Sequence, residues 1–193
     1  MRAASRLLTL GVVAAVGLGG AVGGFVLLSQ DRGEGPAALS PPHPLWTEVR
    51  WPFPPDLWSR GKAFRCKAAD CGAEVKIYLR AKLGFCNCTT GVADDADLDR
   101  MSDFDLVGGE ASPVGAGRPI TIGSMEGRSR AYTLTARNRP GKSAISVAFR
   151  DRCDMVVGTV VLPHDRPETI EPAVIEFLNS PTVVRWVEVA LGI

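Results

Sequence analysis

The sequence has almost no net charge. Its 22 lysines and arginines are balanced by 21 aspartates and glutamates, which leaves a formal net charge of +1 over 193 residues. Binding to a phosphate backbone requires a broad basic face, and a chain with this balance does not predict one. Nucleic acid is therefore not an expected partner.

The sequence also has few residues suited to catalysis. It contains only two histidines, His43 and His164, and no Gly-x-Ser-x-Gly, His-Glu-x-x-His or paired Cys/His pattern. The glycine-rich stretch 108–117 lacks a Gly-Lys-Ser/Thr step, so it is not a phosphate-binding loop. We predict no catalytic residues and no cofactor, and a protein that is more consistent with binding than with an enzyme.

The longest uncharged run lies near the N-terminus. Residues 7–28 carry no charge over 22 positions, and Arg2 and Arg6 precede them. At 1.5 Å per residue a helix of this length crosses a hydrocarbon layer of about 30 Å. We predict a transmembrane helix that acts as a signal anchor, with residues 1–6 in the cytoplasm. A cleaved signal peptide is the alternative, since Ala21-Val22-Gly23 resembles a cleavage site.

The rest of the chain is predicted to lie on the other side of that membrane. The composition, rich in alanine, glycine and arginine, is typical of bacterial genomes of high GC content. In such a cell the chain would be a single-pass protein of the inner membrane, with its globular domain in the periplasm. That compartment is oxidising, so disulfides persist in it.

All five cysteines follow the apolar run and are candidates for disulfides: Cys66, Cys71, Cys86, Cys88 and Cys153. An odd number allows at most two bonds within one chain. Cys66 and Cys71 are spaced to close a short loop, and either Cys86 or Cys88 can reach Cys153 at the end of a neighbouring strand. The cysteines therefore predict how the domain is built.

The tripeptide Cys86-Asn87-Cys88 also allows a chemical function. A bond between its two cysteines would be strained, and strained disulfides are the reducible ones. Alternatively Cys86 and Cys88 could hold a metal together with Cys66 and Cys71, although one intervening residue is tighter than the usual zinc spacing. A metal-binding or thiol-redox module is thus the alternative to structural disulfides.

Proline and tryptophan are concentrated between the apolar run and the domain. Residues 31–55 hold seven of the 14 prolines, so we predict an extended stalk at 29–57. The stalk range holds Trp46 and Trp51, and Trp58 follows it. The three tryptophans are candidates for contacts with a partner, unless this half of the stalk packs on the domain or begins its first strand.

The remaining residues, 58–193, predict one globular α+β domain. Residues 73–82 alternate between apolar and polar side chains, as expected for a strand with one buried face. The other predicted strands, with short connections that make them antiparallel, are 62–66, 131–136, 143–150 and 154–162. Helical spacing after Pro163 predicts C-terminal helices that cover this sheet of about five strands.

An acidic run, ADDADLDRMSDFD, follows the cysteine tripeptide. Asp95, Asp97 and Asp99 match three ligand positions of a calcium loop, but Arg100 replaces the required glycine and Leu106 the required glutamate. We expect these aspartates to cap a short helix and to form a solvated face, with a basic partner as an alternative.

These features predict the class of function without naming a partner. The anchor, the aromatic stalk and the lack of catalytic motifs favour an accessory, assembly or binding subunit that contacts another envelope protein. The metal or redox module at Cys86 and Cys88 is the second hypothesis.

Overall fold

The structure is a computed structural model that describes residues 44–55, 57–58, 61–85, 87–136, 139–163 and 167–193. The predicted cytoplasmic segment 1–6, the predicted transmembrane helix 7–28 and the first part of the stalk, 29–43, lie outside the described residues, as do His43 and His164. None of the described helices is long and apolar enough to cross a membrane.

Seven strands form one sheet in the described residues. They are β1 (Trp46–Val49), β2 (Lys62–Cys66), β3 (Val75–Lys82), β4 (Glu110–Ile122), β5 (Met125–Ala136), β6 (Arg139–Asp151) and β7 (Asp154–Leu162). Their order in the sheet is β1-β2-β3-β7-β6-β5-β4, and every neighbouring pair is antiparallel. The predicted α+β class with an antiparallel sheet is confirmed, whereas the predicted count of about five strands is wrong.

The two strands beyond the predicted five are the edge strands. β1 has only four residues and lies within the 29–57 range that the proline content assigned to a stalk. β4 contains Pro113 and Pro119, which cannot donate to a ladder, and its register with β5 shifts between Val114 and Arg118. Proline is tolerated at edges and bulges, so the composition of β4 conceals a strand of 13 residues.

The helices lie on both sides of the sheet. They are α1 (Ala68–Cys71), α2 (Asp95–Met101), α3 (Pro167–Leu178) and α4 (Pro181–Leu191), and a 3-10 turn follows α2 at Phe104–Leu106. Pro181 is the first residue of α4, a position where its missing N–H costs nothing. The chain after β7 therefore forms two helices.

Helices α3 and α4 cover one face of the sheet, as predicted. The alternating side chains of β3 meet the helices there, and the buried members of this core include Ile77, Leu79, Val147, Val160, Val174, Leu178, Val183 and Val187. Trp46 of β1 stacks on Phe177 of α3, with ring centroids 4.8 Å apart. We call this side the helix face of the sheet.

The opposite face is covered by shorter segments. Leu98 and Met101 of α2 pack on Met155 and Val157 of β7. Phe104 packs on Tyr132 of β5, with ring centroids 4.5 Å apart. Because both faces are covered, β7 is buried along almost its whole length rather than on alternate residues.

Helix α2 is fastened to the sheet by its acidic residues. An aspartate of the acidic run caps the helix, but it is Asp94 and not one of the three named in the prediction; its side chain accepts a hydrogen bond from a backbone N–H of the first turn. The carboxylates of Asp95 and Asp99 remain partly exposed and also pair with arginines of β5: Asp95 lies 2.5 Å from Arg128 Nε and Asp99 lies 3.0 Å from Arg130 Nη1. The acidic run is thus used mainly within the domain.

Helix α3 is fastened by a buried carboxylate. Glu171 is 6% exposed, and it accepts hydrogen bonds from Arg118 Nε at 2.8 Å and from the hydroxyl of Ser129. A buried carboxylate is costly unless it is paired. These two partners therefore fix α3 over β4 and β5.

Candidate interaction surface

Two disulfides are present in the domain. Cys66 bonds to Cys71 and closes a loop of the β2–β3 connection, and Cys88 bonds to Cys153 in the β6–β7 hairpin. Both pairings are among those that the sequence predicted. Cys86, the fifth cysteine of the sequence, lies outside the described residues.

The disulfides bear on the alternative of a metal site. A four-cysteine site would need thiolates, and three of its sulfurs, those of Cys66, Cys71 and Cys88, are in disulfides. Among the described residues, no group of three or more histidine, cysteine, aspartate or glutamate side chains is placed to hold a metal ion. The Asp95 and Asp99 carboxylates of the calcium alternative pair with arginines.

The Cys88–Cys153 disulfide holds the loop that follows β3. The same loop is attached to the β6–β7 hairpin at a second point, where Gly84 N donates to Asp154 Oδ1 at 2.6 Å. Arg150 of β6 adds a longer contact, from Nη1 to Cys88 O at 3.4 Å. These contacts fix Gly84 and Cys88, the residues on either side of Phe85, relative to the sheet.

This loop presents Phe85 at the protein surface. The ring of Phe85 packs against Trp58, with ring centroids 5.0 Å apart, and Leu57 and Leu83 adjoin the pair in the chain. We call these four residues the Trp58–Phe85 patch. Leu57 is 99% exposed, Leu83 57% and Phe85 43%. They are three of the large apolar side chains exposed in the described residues, with Leu45, Val114, Val189 and Ile193.

A buried ion cluster lies directly beneath the patch. Lys82 Nζ is 5.0 Å from the ring centroid of Phe85 and 5.8 Å from that of Trp58, distances at which a cation is attracted to a ring face. The same ammonium lies 2.6 Å from Asp103 Oδ1, and Arg80 Nε is 3.6 Å from the other oxygen. Burial raises the pKa of the Asp103 carboxyl above its usual value, although Lys82 opposes the shift. The rings of Trp58 and Phe85 therefore pack on a buried ion cluster.

The three tryptophans that the sequence put forward for partner contacts have different surroundings. Trp46 stacks on Phe177 in the helix-face core, which is a structural contact. Trp51 meets Tyr78 edge-on at 6.2 Å on the opposite face. Trp58 is the member that packs against an exposed apolar side chain, that of Phe85.

Gly61 explains how Trp51 lies so close to the sheet. A Cβ atom at this position would come within 2.0 Å of Leu79 O and 2.8 Å of the Trp51 ring. Only glycine leaves that space open. Trp51, in the second half of the predicted stalk, is thereby packed against β3.

Of the four residues of the patch, only Trp58 was recognised from the sequence. Leu83 and Phe85 follow directly on the alternating strand 73–82 and flank Gly84. Two large apolar residues on either side of a turn glycine are a signal that could have identified them. Leu57 carries no such signal in the sequence.

Comparison with known proteins gives no assignment for this surface. The chain matches no protein-family model and no curated protein. The function must therefore be argued from the sequence and from the geometry of the described residues.

Proposed function

We propose that the chain is a membrane-anchored, extracytoplasmic accessory protein without enzymatic activity, and that it binds another envelope protein through the Trp58–Phe85 patch. The observation that carries the proposal is the contact of the exposed ring of Phe85 with Trp58, together with the exposure of Leu57 and Leu83, which lie close to these two residues in the chain. Exposed apolar groups of this kind mark interaction sites on soluble domains. The uncharged run at 7–28 supports the anchor, and the two disulfides are compatible with an oxidising compartment.

The chemistry of the patch favours a protein partner with an apolar depression. Aromatic residues are enriched in the cores of protein interfaces, where a ring fills a pocket and excludes water. The disulfide and the Gly84–Asp154 hydrogen bond hold Phe85 in place before binding. Less conformational freedom is then lost on association, so a small patch can bind with useful affinity.

The experiment is site-specific photocrosslinking in the full chain, in the membranes of its own cells. A photoreactive phenylalanine analogue replaces Leu83 or Phe85 in turn, and Val189 of α4, which is 75% exposed, receives it as the matched control. We expect one discrete protein adduct from positions 83 and 85, absent from position 189 and reduced by Leu57→Ser. Adducts with lipid alone, no adduct, or the same adduct from position 189 would contradict the proposal.

A further inference from the structure

A cleft lies at the other end of β3 from the Trp58–Phe85 patch. Its volume is about 280 Å³, and it lies on the face of the sheet opposite α3 and α4. Its lining residues are Phe53, Glu74, Lys76, Tyr78, Leu106, Val107, Lys142, Val161, Leu162 and Pro163. A volume at the lower end of the range for ligand sites limits the cleft to small molecules.

Part of the lining of this cleft is apolar and aromatic. Phe53 and Tyr78 meet edge to face, with ring centroids 4.9 Å apart, and form one wall. Leu106 and Val107, from the turn after α2, also line the cleft, together with Val161 of β7. Burial raises the pKa of the Tyr78 hydroxyl above its ordinary value, so the ring is neutral at physiological pH. These surfaces suit an apolar ring or a short alkyl chain.

The charges that line the cleft are mainly positive. Lys76 on β3 lies 3.0 Å from Glu74, and this pair is close to neutral as a unit. Lys142 on β6 is exposed, and no carboxylate among the described residues lies within ion-pair distance of its ammonium. β7 runs between β3 and β6, and its Val161 pairs with Lys76 on one side and with Ala144, two residues from Lys142, on the other. Two strand spacings and an offset of two residues place the backbones of the two lysines roughly 12 Å apart. The ammonium of Lys142 is therefore available to bind an anion from solution.

We propose that this cleft binds a small carboxylate with an apolar body, such as an aromatic acid. The body packs against Phe53, Tyr78 and Val161, and the carboxylate contacts Lys142. The arrangement places the apolar and the anionic parts of one ligand against complementary surfaces. This site is independent of the Trp58–Phe85 patch, so either proposal can fail without the other.

The test is an NMR titration of the full chain in lipid nanodiscs. The sequence has two tyrosines, so a tyrosine-labelled sample gives one reporter in the cleft, Tyr78, and one reference outside its lining, Tyr132. The probes are benzoate, benzylammonium and benzyl alcohol, which differ in charge on a similar ring. We expect benzoate to shift Tyr78 with a Kd on the order of 1 to 10 mM, as a ligand of this size allows, while the two other probes bind at least threefold more weakly.

Two variants separate a site from general charge attraction. Lys142→Gln should weaken benzoate binding about two- to fivefold, the usual effect of an exposed ion pair. Lys67→Gln removes the same charge from an exposed residue outside the cleft and should leave the Kd unchanged. Equal binding of benzylammonium, equal effects of the two variants, or equal shifts at Tyr132 would overturn the proposal.

Discussion

Asp103 is the carboxylate of the buried ion cluster beneath the Trp58–Phe85 patch. Its carboxylate is 7% exposed and lies 2.6 Å from the ammonium of Lys82, itself 6% exposed. Asp103→Asn removes the negative charge and leaves the buried ammonium of Lys82 with only neutral acceptors among the described residues, the amide oxygen of the new side chain and the carbonyl of Met101 at 3.0 Å. Breaking a buried ion pair in this way costs about 3–5 kcal/mol. We therefore expect the free energy of unfolding, measured by urea titration, to fall by that amount.

The matched control for this variant is Asp105→Asn. Asp105 lies in the adjacent 3-10 turn, but its side chain is exposed, so the free energy of unfolding should change by less than about 0.5 kcal/mol. If both variants have equally small effects, the ion cluster does not support the fold.

At the scale of an element, helix α2 shows how ion pairs add to the apolar packing of Leu98 and Met101. Asp95 accepts hydrogen bonds from Gly117 N at 2.9 Å and Arg128 Nε at 2.5 Å, and it thereby joins the helix to β4 and β5. The backbone N–H of Gly117, with a further contribution from Arg128, lowers the pKa of the Asp95 carboxyl. Since a lowered pKa means that the folded state favours the charged form, ionised Asp95 stabilises the fold.

This linkage predicts the pH dependence of stability. The contribution of Asp95 is fully present above its unfolded-state pKa of about 4, and it is lost as the pH falls through the lower folded-state value. The difference in urea midpoint between the native chain and Asp95→Asn should therefore shrink on acidification from pH 6 to pH 3. A difference that stays constant, or that grows at low pH, would contradict this role.

The sequence predicts some elements well and others poorly, for physical reasons. One face of strand β3 carries apolar side chains and the other carries polar ones, so the alternation is visible in the sequence over residues 73–82. Strand β4 could not be recognised, because its prolines and its bulge are permitted only by its edge position, which is a property of the whole sheet. The docking role of Asp95 likewise depends on Arg128, which is 33 residues away in the chain.

The candidate site shows the same limit. Trp58 stood out in the sequence as a tryptophan near the stalk, and the pairing of Cys88 with Cys153 was one of two alternatives. The contact between Phe85 and Trp58 joins two separate parts of the chain and exists only in the folded domain. No local pattern encodes that contact.

At the scale of the whole molecule, the two disulfides contribute unequally to stability. The Cys88–Cys153 bond joins positions 65 residues apart, whereas Cys66–Cys71 spans 5. Because loop-closure entropy grows with loop length, removing the first bond should cost about 4 kcal/mol and removing the second about 2 kcal/mol. Urea titration of Cys88→Ala/Cys153→Ala against Cys66→Ala/Cys71→Ala measures the difference. A larger loss from the short-loop pair would contradict this expectation.

The binding proposal depends on these four cysteines being used for construction, so the first measurement to make is the number of reactive thiols. The full chain is isolated from membranes in the presence of an alkylating agent, with and without prior reduction, and its intact mass is recorded. We predict one alkyl group without reduction and five after it, with peptides linking Cys66 to Cys71 and Cys88 to Cys153. Three or more alkylated thiols without reduction, or a retained metal mass, would instead indicate a metal-binding or thiol-redox function at Cys86-Asn87-Cys88. Either result would contradict a purely structural role for the cysteines.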